Sequence, residues 1–167
     1  MSTKDETSTD DSAPAVGGPL ERGVGRPEPT TKEATMEYLI AHIGHTQKHH
    51  EHVTWWKPNS CGYTICIDKA ARYSEEEARG ICQYGGCIAV RVQAVESLAL
   101  STPYYRRNDG TLAKLYDGGP HRPVRNDAQD WRHLLSNRLL CSKTTERPTP
   151  MPASKARAIY LDALQTA

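Results

Sequence analysis

No run of apolar residues in the 167-residue chain is long enough to cross a bilayer, and the polar N-terminus lacks the charged-then-apolar build of a signal peptide. The expectation is a cytoplasmic protein that does not engage a membrane. Also missing are a P-loop, a Gly-x-Ser-x-Gly turn, a His-Glu-x-x-His helix and the dinucleotide-binding glycine pattern. The chain therefore reads as a protein that is not an enzyme and needs no cofactor. Charge of one sign is scarce too: 21 Lys and Arg stand against 20 Asp and Glu, a formal balance of +1 without the basic excess of a dedicated nucleic-acid binder. Cysteine numbers five, an odd count in a chain with no export signal, which argues for free thiols or metal ligands over a disulfide framework.

Large apolar residues are almost absent from residues 1–35. With a mean hydropathy of -0.67 for the whole chain, that stretch cannot bury enough surface to offset its ordering entropy. It reads as a disordered acidic tail, in which Lys4, Arg22, Arg26 and Lys32 face Asp5, Glu6, Asp10, Asp11, Glu21, Glu28 and Glu33. Residues 36–141 then form a single α+β domain, 142–153 a Pro-rich linker, and 154–167 a C-terminal amphipathic helix with Ile159, Tyr160, Ala163 and Leu164 on one side.

Within the domain the hydrophobic period changes along the chain. Residues 37–43 (EYLIAHI) are apolar on both faces, as an interior strand requires, and residues 45–52 are a His-rich polar connection. Val53 to Trp56 and the alternating Tyr63 to Ile67 give two more strands, separated by turn chemistry at Pro58-Asn59-Ser60 and Gly62. A helix opens at Ser74 with Glu77 completing a capping box and Tyr73 and Ala78 a hydrophobic staple; Ala78, Ile81 and Cys82 form its buried stripe and Gly85-Gly86 end it. Cys87 to Val92 returns to the sheet, so the predicted core is a small antiparallel sheet in a β-β-β-α-β unit. A short helix over Ala94 to Leu100, a hairpin around Asn108-Asp109-Gly110, and a helix capped by Asn126 or Asp127 and carrying Trp131, Leu134, Leu135 and Leu139 are added to it.

Trp56-Lys57-Pro58, Gly62-Tyr63-Thr64, Ala70 and Arg72-Tyr73-Ser74 followed by Glu76-Glu77-Ala78 together resemble small uncharacterised proteins encoded by tailed bacteriophages and prophages. The resemblance implies a phage origin and a short sheet with one helix, and it supplies no catalytic residue. The His-rich insert and the extension after Pro103 depart from the sparest versions of that pattern, so whatever is special to this chain is expected there.

Three groups of residues have chemical potential. Cys61 and Cys66, then Cys82 and Cys87, imitate a four-thiolate zinc site, with His42, His45, His49, His50 and His52 upstream; the spacing is too wide for a zinc knuckle, Cys66 and Cys82 fall on core positions, and Cys61, Cys87, His45 and His49 remain as weak metal candidates. Tyr104, Tyr105, Arg106, Arg107, Lys114, Tyr116, Arg122 and Arg125, with His121 among them, make the most basic and aromatic stretch. Arg forks pair with phosphate and Tyr stacks on bases, so nucleic acid is one partner this composition permits. An acidic surface on a bacterial host protein is the favoured one. Trp55 and Trp56 are adjacent strand residues, one facing the core and the other a possible contact, and Trp55 joins the candidate binding set.

Overall fold

A computed structural model describes residues 36–141 and 147–164, with only the backbone of Ala163 and Leu164. The expected tail 1–35, residues 142–146 of the expected linker and residues 165–167 of the expected helix lie outside the described residues. Those described belong to one compact unit, Glu33–Ala167.

Tyr38–His42 (β1), Trp55–Trp56 (β2), Tyr63–Thr64 (β3), the helix Glu75–Cys82 (α1) and Cys87–Arg91 (β4) follow the expected β-β-β-α-β order, and the sheet runs β3-β2-β1-β4, antiparallel throughout. β1 is apolar on both faces because both are covered. Leu39 and Ala41, paired with Val90 and Ile88, face a cluster with Trp55, Val95, Trp131 and Leu134; Tyr38 and Ile40 face α1 with Ala78, Cys82 and Ala89. The capping box of α1 is formed as read: Ser74 Oγ accepts from the Glu77 amide, and the Glu77 carboxylate accepts the Ser74 amide at 2.8 Å. The strand expected over Tyr63 to Ile67 stops at Thr64. Its hydroxyl takes the Cys66 amide at 3.1 Å and a 3-10 turn, Ile67–Lys69, begins, because a local side-chain acceptor competes with the ladder there.

The short helix after β4 starts earlier than expected, at Val92–Glu96 (α2). Pro103–Arg106 (β5) and Leu112–Lys114 (β6) form the expected hairpin. Asp127 caps Ala128–Ser136 (α3), its Oδ1 accepting the Gln129 and Asp130 amides at 2.8 Å each. Trp131 and Leu134 are buried. Leu139, expected on the same helix, lies beyond its end at Asn137 and pairs its amide with Ala89.

The C-terminal segment departs most from expectation. Among the described residues of this segment, Ala153–Lys155 is a 3-10 turn and Leu161–Leu164 (α4) is the α-helical part; between them Ile159–Tyr160 (β7) is a strand on the open edge of β5, giving a second sheet in the order β6-β5-β7. Pro148, Pro150 and Pro152 favour extended backbone up to the turn at Ala153–Lys155, and the unpaired groups of β5 supply the ladder for Ile159 and Tyr160.

Candidate functional site

The hairpin owes its tip to Asp109 and Gly110. Asp109 Oδ1 accepts the amide and hydroxyl of Thr111 at 2.9 and 2.6 Å, which holds that carboxyl below its usual range, and Gly110 takes a φ of 85° that only glycine adopts readily. The register sets Tyr104 opposite Lys114 and Arg106 opposite Leu112, so these four side chains share one face and Tyr105 the other. Arg106, Arg107 and Lys114 are exposed, and among the described residues none of the three takes part in an ion pair.

The other cations of the expected patch are already paired, Arg122 at the surface and Arg125 half-buried. Arg122 pairs with Asp68 at 2.8 Å, and Arg125 reaches Asp127 and the buried Asp130 at 3.2 Å. Trp55 has no exposed surface and is no contact residue: its side chain falls on the sheet face that carries Trp131 and Leu134. Tyr116 turns inward to a histidine.

That histidine is His52, fully buried, in a segment whose polarity reads as loop. Its Nδ1 lies 2.9 Å from the Tyr116 hydroxyl and its Nε2 2.6 Å from the Tyr160 hydroxyl. Residues 51–53 are held like a strand against 124–126, through Val53 N to Val124 O and Asn126 N to Glu51 O. Burial, and then the neighbouring charge of His121, lower His52 to about 3, so the ring is neutral at pH 7. Burial raises both phenols, Tyr116 to about 12, with the Glu51 carboxylate as the next cause in each case. Glu51, 8% exposed, accepts the Arg157 amide at 3.0 Å and its Nε at 3.3 Å. Asn126 donates to the carbonyls of Gln47 and His50 and accepts the Trp131 indole N–H at 2.6 Å. A cavity of about 300 Å³ opens between Glu51, Arg125, Asp127, Met151, Ala156 and Tyr160; another of about 340 Å³ touches Glu51, His50, Thr54, Ile65, Tyr116 and Arg157.

Sequence reasoning missed Glu51, Asn126, Asp130 and Tyr160 as a set. Their only advance signal was the presence of charged and amide side chains beside Val53 and Val124, which the structure buries.

The weak metal candidates stay apart. Cys61 is exposed and its thiol donates to Asn59 O, whereas Cys87 is buried because β4 is covered on both faces. Cys66 accepts the Arg122 amide, and Cys82 is pushed up to about 12 by burial, with the thiols of Cys141 and Cys87 nearby. His45 packs on His42 and Tyr63, and His49 on His50. Among the described residues no three or more His, Cys, Asp or Glu are grouped to hold a metal ion, and no helix is long and apolar enough to cross a membrane. Compared with protein-family models, with curated proteins and with solved structures, the chain matches none.

Proposed function

We propose that this protein is a phage or prophage accessory factor that acts in the host cytoplasm by binding a bacterial host protein, inhibition of a host defence system being one such role, and that the hairpin β5–β6 makes the contact. The observation that carries the reading is the exposed set Arg106, Arg107 and Lys114, unmatched by acids among the described residues and beside Tyr104 and Leu112 on the three-stranded sheet. Arg and Tyr are the side chains that anchor interfaces, since each offers a large contact area with a polar end. The phage origin is supported by the motif resemblance between Trp56 and Ala78. The reading assigns no catalytic step and needs no cofactor.

The pairing of Arg122 with Asp68 and of Arg125 with Asp130 leaves fewer uncommitted cations, which favours an acidic protein surface over nucleic acid. Three remaining cations on one hairpin would give a salt slope of only about -2 to -3 on duplex DNA. The test is capture from a bacterial host lysate with and without nuclease, repeated with the double variant Arg106→Ala/Arg107→Ala. A stoichiometric protein that survives nuclease and is lost with the double variant supports the reading. The variant itself should unfold within about 0.5 kcal/mol of the parent, because both side chains are exposed. Capture unchanged by the substitutions overturns the hairpin assignment, and capture that vanishes with nuclease replaces the host protein with nucleic acid.

A further inference from the structure

A neutral imidazole has one N–H and one lone pair, so His52 can accept from one tyrosine and must donate to the other. The tyrosine that accepts keeps its own hydroxyl proton, and neither hydroxyl has a second hydrogen-bond partner among the described residues. With the proton on Nε2 that spare donor is Tyr160, which lines the 300 Å³ cavity. With the proton on Nδ1 it is Tyr116, which lines the 340 Å³ cavity. Both tyrosines are half-buried and line their cavities, so the spare donor faces space that a ligand oxygen can occupy.

The 300 Å³ cavity adds three constraints on what enters it. Met151, Ala153, Ala156 and Ala158 give it a wall of small apolar groups, suited to a flat ring. Its charges are already matched, Arg125 by Asp127 and Asp130 and Glu51 by Arg157, so no positive charge is left for a phosphate or carboxylate. Among the described residues Glu51 Oε2 meets the Arg157 amide alone, at 3.3 Å, an amide that lies closer to Oε1, so it retains acceptor capacity.

We propose that this cavity binds a small neutral cyclic amide of the nucleobase class, its carbonyl oxygen accepting from Tyr160, its adjacent N–H donating to Glu51 and its ring lying on the alanine wall. The site uses none of the hairpin's exposed cations, although β5 holds the strand that carries Tyr160. A carbonyl on Tyr160 selects the His52 tautomer protonated on Nε2, and Tyr116 then donates to Nδ1. Filling one cavity therefore withdraws the donor from the other.

The test is an NMR titration of the full chain with uracil and with 1,3-dimethyluracil, which keeps the ring and carbonyls and lacks the N–H. Uracil should give saturable shifts around Ala156 and Tyr160 and move the His52 ring nitrogens toward the Nε2–H form. The dimethyl compound and the variant Tyr160→Phe should each bind more weakly by about tenfold or more, as one buried hydrogen bond implies. Because Tyr160→Phe also unpairs His52, Ala156→Leu serves beside it: Ala156 is exposed, and the larger side chain fills the cavity while leaving the histidine and both tyrosines in place. No saturable shift at millimolar uracil, equal affinity for the dimethyl compound, or undiminished binding to Ala156→Leu would each overturn the proposal.

Discussion

Between the four-stranded sheet and its helices the interior is hydrocarbon, with Leu39, Val90, Val95 and Trp131 buried on one face and Ile40, Ala78 and Ala89 on the other. Where the three-stranded sheet and the C-terminal segment meet residues 46–53, the interior is polar: Thr46, Glu51, His52, Asn126 and Asp130 are all buried, most of them bonded through side chains. The first region is non-directional and held by area and volume, and its Cys82 thiol stays protonated across the acid range. The second is directional, and each group depends on the partner opposite it, so loss of one leaves another unpaired in a medium where that is costly. The region that departs from plain packing also holds the two cavities that Glu51 lines.

Trp131 stands at the junction, its ring in the apolar cluster and its N–H on Asn126, so it breaks the comparison most sharply. Trp131→Ala should cost about 3–5 kcal/mol in urea unfolding. A loss below about 1 kcal/mol would mean that the apolar side does not hold the fold.

Acid separates the two regions. His52 takes a proton near 6.5 when unfolded and only near 3 when folded, so between those values the unfolded chain binds more protons. Relative to His52→Gln, the parent should lose about 1.4 kcal/mol per pH unit as pH falls from 6.5 toward 3, with no such difference above 6.5. Equal slopes for the two proteins, measured by urea unfolding at each pH, would refute the burial of a neutral ring.

The smallest effect belongs to the helix cap on the apolar side. Ser74→Ala removes one half of the capping box and should cost about 1 kcal/mol. Amide exchange around His52 should stay as it was, since the cap makes no contact with the polar cluster; faster exchange there would show that the two regions unfold as one.

The β-β-β-α-β unit was legible because its signals are local. Ser74 with Glu77, the two-faced apolar run of β1 and the glycines after α1 each act within a few residues of themselves. The candidate patch was legible only in part. Arg106, Arg107 and Lys114 are exposed as expected, but Arg122 and Arg125 were drawn off by Asp68 and Asp130, acids whose place in space no spacing reveals. The helix expected over residues 154–167 met a competing partner, the edge of β5, and among the described residues one α-helical turn survived it.

From residues alone came the fold class, the order of the central elements, the caps and the turn at Gly110, because propensity, periodicity and positive φ are properties of short stretches. Tertiary structure alone decided that Trp55 lies in the core, that Cys87 is covered, and that Tyr116 and Tyr160 meet His52 across 64 and 108 positions of chain. Side-chain hydrogen bonds over such separations carry no periodic trace, and they form only after the sheets have brought their backbones together.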